Sequence, residues 1–171
     1  SFGDRNWDVY LIKTDGSGIE QWTKTLEEVD VYKERVVEHR GNSVQQTTDG
    51  GYIITGRIGY SYKTFEEPFR RDDNVYLIKT DGNGIEQWSK TFGGTGGGYF
   101  VQQTTDGGYI ICVTTNSFGD GTCDVYLIKI DGSVIEQWTK TFEELGVFEE
   151  RGRDDRGHSV QQTTDGGYII T

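Results

Sequence analysis

The chain has little of what many enzymes and membrane proteins depend on. Its 171 residues include no Met, one Pro, two Cys and two His, and only 33% are hydrophobic. No apolar run approaches the roughly 20 residues of a membrane-spanning helix, so no membrane span is expected. Basic residues are also scarce, with 17 Lys and Arg against 28 Asp and Glu and a net charge of −11. Because nucleic acids and anionic lipid surfaces bind cationic patches, neither is an expected partner.

Glycine, by contrast, is abundant, and the composition is typical of a turn-rich all-β protein. The segment VQQTTDGGYII occurs three times, beginning at Val44, Val101 and Val160. Val, Gln, Thr, Tyr and Ile suit strands, while Asp-Gly-Gly supplies the positive φ of a tight turn. Each copy therefore predicts a β-hairpin.

A second motif also occurs three times, as VYLIKTDGSGIEQWTKT from Val9, VYLIKTDGNGIEQWSKT from Val75 and VYLIKIDGSVIEQWTKT from Val125. Apolar residues before the turn and a single Trp after it predict another hairpin. The outer copies of both motifs lie 116 residues apart, from 9 to 125 and from 44 to 160. The repeat unit is therefore about 58 residues long.

Four strands in each unit, in the order VQQTT, YIIT, VYLIK and EQWTKT, are typical of a β-propeller blade. We expect an all-β fold of β-propeller blades, with three four-stranded antiparallel repeat units and one blade split between the N and C termini. Residues 1–171 would form a single repeat domain. Its expected divisions are a C-terminal half-blade at 1–42, full blades at 43–99 and 100–158, and an N-terminal half-blade at 159–171.

The VQQTTDGGYII, VYLIKTD and EQW repeats resemble those of secreted and cell-surface β-propeller proteins of archaea and bacteria, over nearly the whole chain apart from its long loops. The segment VYLIKTDGNGIEQWSKTF is more distantly similar to the outer half of quinoprotein-type propeller blades. The resemblance implies an extracellular or cell-surface location and a structural or adhesive role. It implies no reaction, so we expect no enzyme and assign no catalytic, metal or cofactor residue.

A blade divided between the two ends leaves unpaired strand edges, and such an edge invites another chain. We expect the last strand of one copy to pair with the first strand of another, by strand addition. Two chains would give a closed six-bladed ring, and a rotation that does not close would give a filament. The residues expected to pair between chains are Trp7, Val9, Leu11, Lys13, Tyr168, Ile169, Ile170 and Thr171.

Two other functions stay open. A surface module for glycans or proteins would use the long charged loops 27–42, 56–74 and 143–159. The third alternative is an excerpt of a longer propeller enzyme, which is the weakest because the strand motifs are nearly identical and the variation lies in the loops. The loop aromatics that would anchor a ligand are Tyr32, Tyr60, Tyr62, Phe65 and Phe148.

The two cysteines, Cys112 and Cys123, fall in one predicted hairpin and could face each other across it. Their even number and the surface-type resemblance favour a disulfide, which would close a loop of about a dozen residues. Free thiols in a reducing compartment are the alternative. The two histidines, His39 and His158, precede VQQTT strands at positions that are not equivalent, and both are interpreted as solvated loop residues.

Three recurrent features have both a structural and a ligand-binding interpretation. The loop from Asp81 faintly resembles an oxygen-ligand loop for calcium, but the same Asp-Gly recurs in every unit, which favours a plain turn and no cofactor. One Trp in each unit could stack on a sugar, but such regularity favours a structural role, either packing one unit against the next or covering a sheet. The paired glutamines could contact a ligand directly, but they are expected to satisfy backbone groups near the hub or between units. These residues are Trp22, Trp88 and Trp138, with Gln45-Gln46, Gln102-Gln103 and Gln161-Gln162.

Overall fold

The computed structural model describes residues 8–26, 36–62, 70–93, 96–115, 123–142 and 155–171. Every regular element in these ranges is a β-strand, and they contain no helix that could cross a membrane. The strands are β1 (Val9–Thr14), β2 (Glu20–Leu26), β3 (Val36–Gln46), β4 (Tyr52–Tyr62), β5 (Arg70–Thr80), β6 (Glu86–Phe92), β7 (Gly97–Gln103), β8 (Tyr109–Thr115), β9 (Asp124–Ile130), β10 (Glu136–Phe142), β11 (Val160–Gln162) and β12 (Tyr168–Ile170).

The described strands form four antiparallel sheets, which confirms the all-β prediction. Sheet I has the order β3-β4-β5-β6, and sheet II has the order β7-β8-β9-β10. Strands β1 and β2 form the N-terminal hairpin, and β11 and β12 form the C-terminal hairpin. By sequence, the N-terminal hairpin corresponds to the third and fourth strands of a complete sheet. The C-terminal hairpin corresponds to the first and second strands.

The Asp-Gly-Gly turns have the conformation that the sequence predicts. In sheet I, the Asp49 carboxylate accepts the backbone N–H of Gly51 at 3.0 Å and the hydroxyl of Thr47. These bonds hold the turn in place and leave the intervening glycine in the left-handed region, where a side chain would be strained. The three glycines with this conformation are Gly50, Gly107 and Gly166, with φ of 82°, 80° and 88°.

The hairpins of the second motif turn differently. The aspartate that opens each turn accepts backbone N–H groups two and four residues later, at distances between 2.8 and 3.0 Å. Positive φ then falls on Gly18, Gly84 and Val134. Since a β-branched residue is strained in the left-handed region, the third turn carries a strain that glycine avoids in the other two.

Three hydrophobic clusters hold the four sheets in a row. The largest lies between sheets I and II, where Ile53 and Val101 belong to the same cluster. In the second, Val9 of the N-terminal hairpin packs with Ile54 and other residues of sheet I. In the third, Val160 of the C-terminal hairpin packs with sheet II. Elements that are neighbours in the sequence are therefore neighbours in space.

Sheet I extends beyond the repeat motifs. Segments 27–42 and 56–74 are expected to be loops, yet β3 begins at Val36, β4 continues to Tyr62 and β5 begins at Arg70. The two long strands pair as far as Tyr62 opposite Arg70, and Ile58 is fully buried between them and the N-terminal hairpin. The loop interpretation is wrong for these residues. Strand pairing continues past the motif because one face of the longer strands packs against apolar residues of the N-terminal hairpin. Residues 27–35 and 63–69 lie outside the described ranges.

Cys112 and Cys123 are free thiols, so the predicted disulfide is wrong. In the ladder between β8 and β9, Cys112 lies opposite Leu127, four residues beyond Cys123. At about 3.3 Å per residue, the two cysteines are separated by roughly 13 Å, whereas a disulfide allows about 7 Å between Cα atoms. Cys112 is buried, and this burial raises the pKa of its thiol to about 11.

Candidate assembly surface

A Trp–Tyr contact recurs at each junction between neighbouring sheets. The Trp comes from the last strand of one sheet, and the Tyr comes from the second strand of the next. The rings meet edge to face, an arrangement favoured by their quadrupoles. Of the two structural roles expected for the recurrent Trp residues, packing between units is therefore the one confirmed. The pairs are Trp22 with Tyr52 and Trp88 with Tyr109, both 6.0 Å between ring centroids, and Trp138 with Tyr168 at 5.7 Å.

The paired glutamines join neighbouring sheets through backbone groups, which is one of the two places that the sequence predicts for them. The side-chain oxygen of Gln45 accepts the backbone N–H of Gln103 at 2.8 Å, and the side-chain oxygen of Gln103 accepts the N–H of Thr48 at 2.8 Å. We call this pattern the glutamine exchange. Between sheet II and the C-terminal hairpin it is repeated by Gln102, Gln162 and Thr105, at 2.8 and 2.9 Å.

Two members of the glutamine series take no part in an exchange among the described residues. Gln46 makes only a 3.5 Å hydrogen bond, from its amide to the carbonyl of Gly50 in its own turn. Gln161 lies exposed in β11. By the pattern of the other junctions, Gln46 would meet the unit before sheet I, and Gln161 would meet the unit after the C-terminal hairpin.

A buried lysine ties the third strand of each complete sheet to the turn between its first two strands. Lys79 lies 2.8 Å from Asp49, and Lys129 lies 2.9 Å from Asp106. Hydrogen bonds from Lys79 and from the turn hold the pKa of Asp49 far below its usual range. The hydroxyl of Thr104, followed by the Lys129 ammonium, lowers the pKa of Asp106 to about 2.

In the incomplete unit, the equivalents of these ionic partners lie at opposite ends of the chain. Lys13 is half-buried in β1, and Asp165 is exposed in the turn between β11 and β12. The pKa of Asp165 is lowered by the hydroxyl of Thr163 and the backbone N–H of Gly167, without a contribution from lysine. Neither Lys13 nor Asp165 has an ionic partner among the described residues.

Three apolar side chains are exposed although their equivalents are buried. Ile12, Val44 and Ile169 are 57%, 56% and 58% exposed. Their equivalents elsewhere in the chain are at most 1% exposed. The difference in exposure must come from the neighbouring strands, because the exposed and the buried equivalents are the same types of residue. The buried equivalents are Ile78 and Ile128 for Ile12, Val101 and Val160 for Val44, and Ile53 and Ile110 for Ile169.

Two adjoining recesses follow the free edge of β1. One, of about 420 Å³, is lined by residues that include Ile12, Lys13, Val44 and Gln46. The other, of about 450 Å³, continues past Tyr10 toward the middle of β3. In sheet II, the corresponding space beside the third strand is filled by β7 and β8. The recesses therefore occupy the position of the two strands that the N-terminal hairpin lacks.

The residues predicted to pair between chains fall into distinct environments. The sequence prediction missed Ile12, Val44, Gln46 and Asp165, although each could have been found by alignment with its buried or paired equivalents. Trp7 lies outside the described residues. Val9 is buried against sheet I. Ile169 and Thr171 are exposed. The others are half-buried, namely Leu11, Lys13, Tyr168 and Ile170.

The predicted ligand-binding aromatics are only partly described. Tyr60 lies in β4, where it is half-buried against the cluster beneath the N-terminal hairpin, and so it does not belong to an exposed loop. His39 is also in a strand and is 2% exposed, with its ring centroid 5.3 Å from that of Tyr76, so its interpretation as a solvated loop residue is wrong. The side chain of Tyr62, and all of Tyr32, Phe65 and Phe148, lie outside the described residues.

The loop with a faint resemblance to a calcium site is a turn. The Asp81 carboxylate accepts the backbone N–H groups of Asn83 and Ile85, at 2.8 and 2.9 Å. In the described part of the chain, no three His, Cys, Asp or Glu side chains lie close enough together to hold a metal ion. The turn therefore accounts for this aspartate.

Comparison of the chain with protein-family models and with curated proteins found no match.

Proposed function

We propose that the protein is an assembly subunit of the β-propeller type, in which the C-terminal hairpin of one copy completes the N-terminal hairpin of another. Sheets I and II are two blades, and each joint between copies builds a further blade from two hairpins. The observation that carries this proposal is the exposure of Ile12, Val44 and Ile169 beside buried equivalents. Each of them is exposed because the incomplete unit beside it lacks the two strands that bury its equivalents.

A second copy is the partner that supplies the missing strands. Strands β1 and β12 belong to separate sheets, and among the described strands each is paired on one side only. An unpaired edge is a template for another strand, and a two-stranded hairpin alone is marginal in water. Their union would give each hairpin the two strands that it lacks. The location implied by the sequence resemblance, outside the cell or on its surface, is part of the proposal.

The energetics favour a closed assembly. Full burial of a Val or Ile side chain contributes about 1.5–3 kcal/mol, so covering three half-exposed side chains contributes about 3 kcal/mol at each joint. Strand hydrogen bonds add to this. Association of two chains costs roughly 4–15 kcal/mol in lost freedom. A ring of two chains forms two joints in one association, whereas an open pair forms only one, so we favour the six-bladed ring over the filament.

The mass of the particle in solution tests the proposal. A monomer has a mass of 19.3 kDa. Size-exclusion chromatography with light scattering, or native mass spectrometry, should show one species of twice that mass for a ring. A filament would give a broad distribution that grows with concentration. A mass of 19.3 kDa at every concentration, up to millimolar, would contradict the proposal.

A pair of matched variants links the mass to the proposed surface. Ile169→Asp places a charge on the apolar residue at the joint and should leave the chain monomeric. Ile135→Asp makes the same change at a side chain that is 60% exposed in a hairpin turn away from the joint, and should leave assembly unchanged. Circular dichroism should show the same strand content in both. Equal effects of the two variants on assembly would count against the proposed joint.

A further inference from the structure

We infer that the joint is restricted to one register and one direction by an ion pair between Lys13 of one copy and Asp165 of the other, together with a glutamine exchange at Gln46. This inference rests on the assembly proposed above. It adds the polar contacts that would select another copy of this chain as the partner. Without them, any exposed strand could bind to the free edge.

The register follows from the two complete sheets. In sheet I, the second strand places Ile53 opposite Lys79 of the third strand, and sheet II repeats the same register. Applied to the joint, it places Ile169 of one copy opposite Lys13 of the other. The remaining pairs are Tyr168 with Thr14, Ile170 with Ile12, and Thr171 with Leu11. The pairing therefore covers residues 11–14 of β1, further along the strand than Trp7 and Val9.

This register brings the Lys13 ammonium to the turn that contains Asp165. In both complete sheets, the equivalent lysine is buried and also donates to the carbonyl of the next residue, at 2.8 and 2.9 Å. The joint would bury Lys13 in the same way. Because a buried ammonium without a carboxylate is strongly unfavourable, a partner strand that lacks an aspartate at this position would be rejected.

Gln46 lies in the recess that the incoming hairpin would fill. By the pattern of the other junctions, its backbone N–H would donate to the side-chain oxygen of Gln161 of the other copy, and its own side-chain oxygen would accept the N–H of Thr164. Both glutamines are the members that take no part in an exchange within one chain. The joint would therefore complete the glutamine series as well as the sheet.

The charges also set the direction. One edge carries Lys13 and the other carries Asp165, so only the contact between unlike edges pairs opposite charges. Two N-terminal hairpins would bring two lysines together, and two C-terminal hairpins would bring two aspartates together. Such like-charge contacts cost several kcal/mol. Copies would consequently join head to tail, which is a heterologous contact.

Charge reversal tests the ion pair. Lys13→Glu and Asp165→Lys should each weaken self-association by about 30-fold or more, because each leaves two like charges facing each other at the joint. Lys24→Glu and Glu136→Lys make the same changes in net charge and serve as controls. Lys24 is exposed in β2, beside a turn of the same chain, and Glu136 is exposed in β10. Analytical ultracentrifugation of all five proteins, including the parent chain, gives the association constants.

Mixing the two reversed chains separates the ion pair from a general loss of folding. In an alternating mixture of Lys13→Glu and Asp165→Lys, every joint pairs opposite charges, so assembly should return to near the parent level. The ion pair would be overturned if the mixture failed to assemble. It would also be overturned if the parent assembled and each single variant, tested alone, assembled equally well. In the second case, the assembly itself would still stand. A parent chain that stays monomeric would overturn both.

Discussion

Asp106 and Asp165 occupy equivalent turns, but only Asp106 faces a buried lysine, so one substitution should have different effects at the two positions. We expect Asp106→Asn to lower the free energy of unfolding and Asp165→Asn to leave it nearly unchanged. Both changes should be made in a chain that also carries Ile169→Asp. The chain then remains monomeric, and the unfolding free energy reports on the sheets alone.

The magnitude follows from the surroundings of Lys129. Its side chain is 4% exposed, and its ammonium is held by Asp106 at 2.9 Å and by the carbonyl of Ile130 at 2.9 Å. Removing one partner of a buried ion pair costs about 3–5 kcal/mol. The Asp106 side chain is 61% exposed, so solvent screens the pair and we expect a cost of about 1–2 kcal/mol. For a chain of this length, that lowers Tm by about 2–8 °C.

The effect should depend on pH in a defined direction. The pKa of Asp106 falls from 3.8 to about 2 in the folded chain, chiefly through the hydroxyl of Thr104 and then through Lys129. A carboxylate with a lowered folded pKa stabilises the fold above its unfolded pKa, and this contribution is lost as pH falls through the folded pKa. The difference between Asp106→Asn and its parent should therefore be constant near neutral pH and shrink between about pH 4 and pH 2.

Urea unfolding followed by tryptophan fluorescence, at several pH values, measures these differences. If Asp106→Asn and Asp165→Asn changed the unfolding free energy equally, the lysine would not be the cause. A loss for Asp106→Asn that persisted unchanged at pH 2 would show that the effect comes from turn geometry and not from charge.

Three further predictions concern local features. Gly18→Ala should cost about 1 kcal/mol in urea unfolding because Gly18 has a φ of 79° with open space around it, whereas Gly16→Ala should be nearly neutral. Gln103→Ala should cost about 1 kcal/mol, since the backbone N–H of Thr48 loses its acceptor; an unchanged stability would mean that water replaces the side chain. A thiol reagent should modify Cys123 alone in the native protein and both cysteines after unfolding, and a native protein without any reactive thiol would contradict the free-thiol assignment.

Repetition accounts for most of what could be predicted from the sequence. The strands and both kinds of turn follow from local alternation and from the residues that a turn requires. The packing role of Trp22 and the exchange at Gln45 could also be predicted, because a residue that recurs once in every unit must meet the same neighbour at every junction. These predictions needed no knowledge of the long-range pairing.

The features that were missed depend on partners outside the repeat motifs. His39 and Ile58 are buried because β3 and β4 continue to pair beyond the motif, and the charged sequence there gives no local sign of it. The disulfide prediction fails because the register places Cys112 opposite Leu127. No local signal marks Lys13, because a lysine in an alternating strand looks like an ordinary solvated residue. Its role depends on the long-range contact by which its equivalent, Lys79, is buried against a turn aspartate.

The glutamine exchange makes the junction after sheet I and the junction after sheet II chemically the same. The face that a sheet presents to its successor does not depend on how many sheets precede it. Duplicating residues 43–99 in the gene would therefore lengthen the row by one module and leave both terminal faces as they are. Chains with different numbers of modules would carry the same terminal faces. They could therefore coassemble although they differ in length.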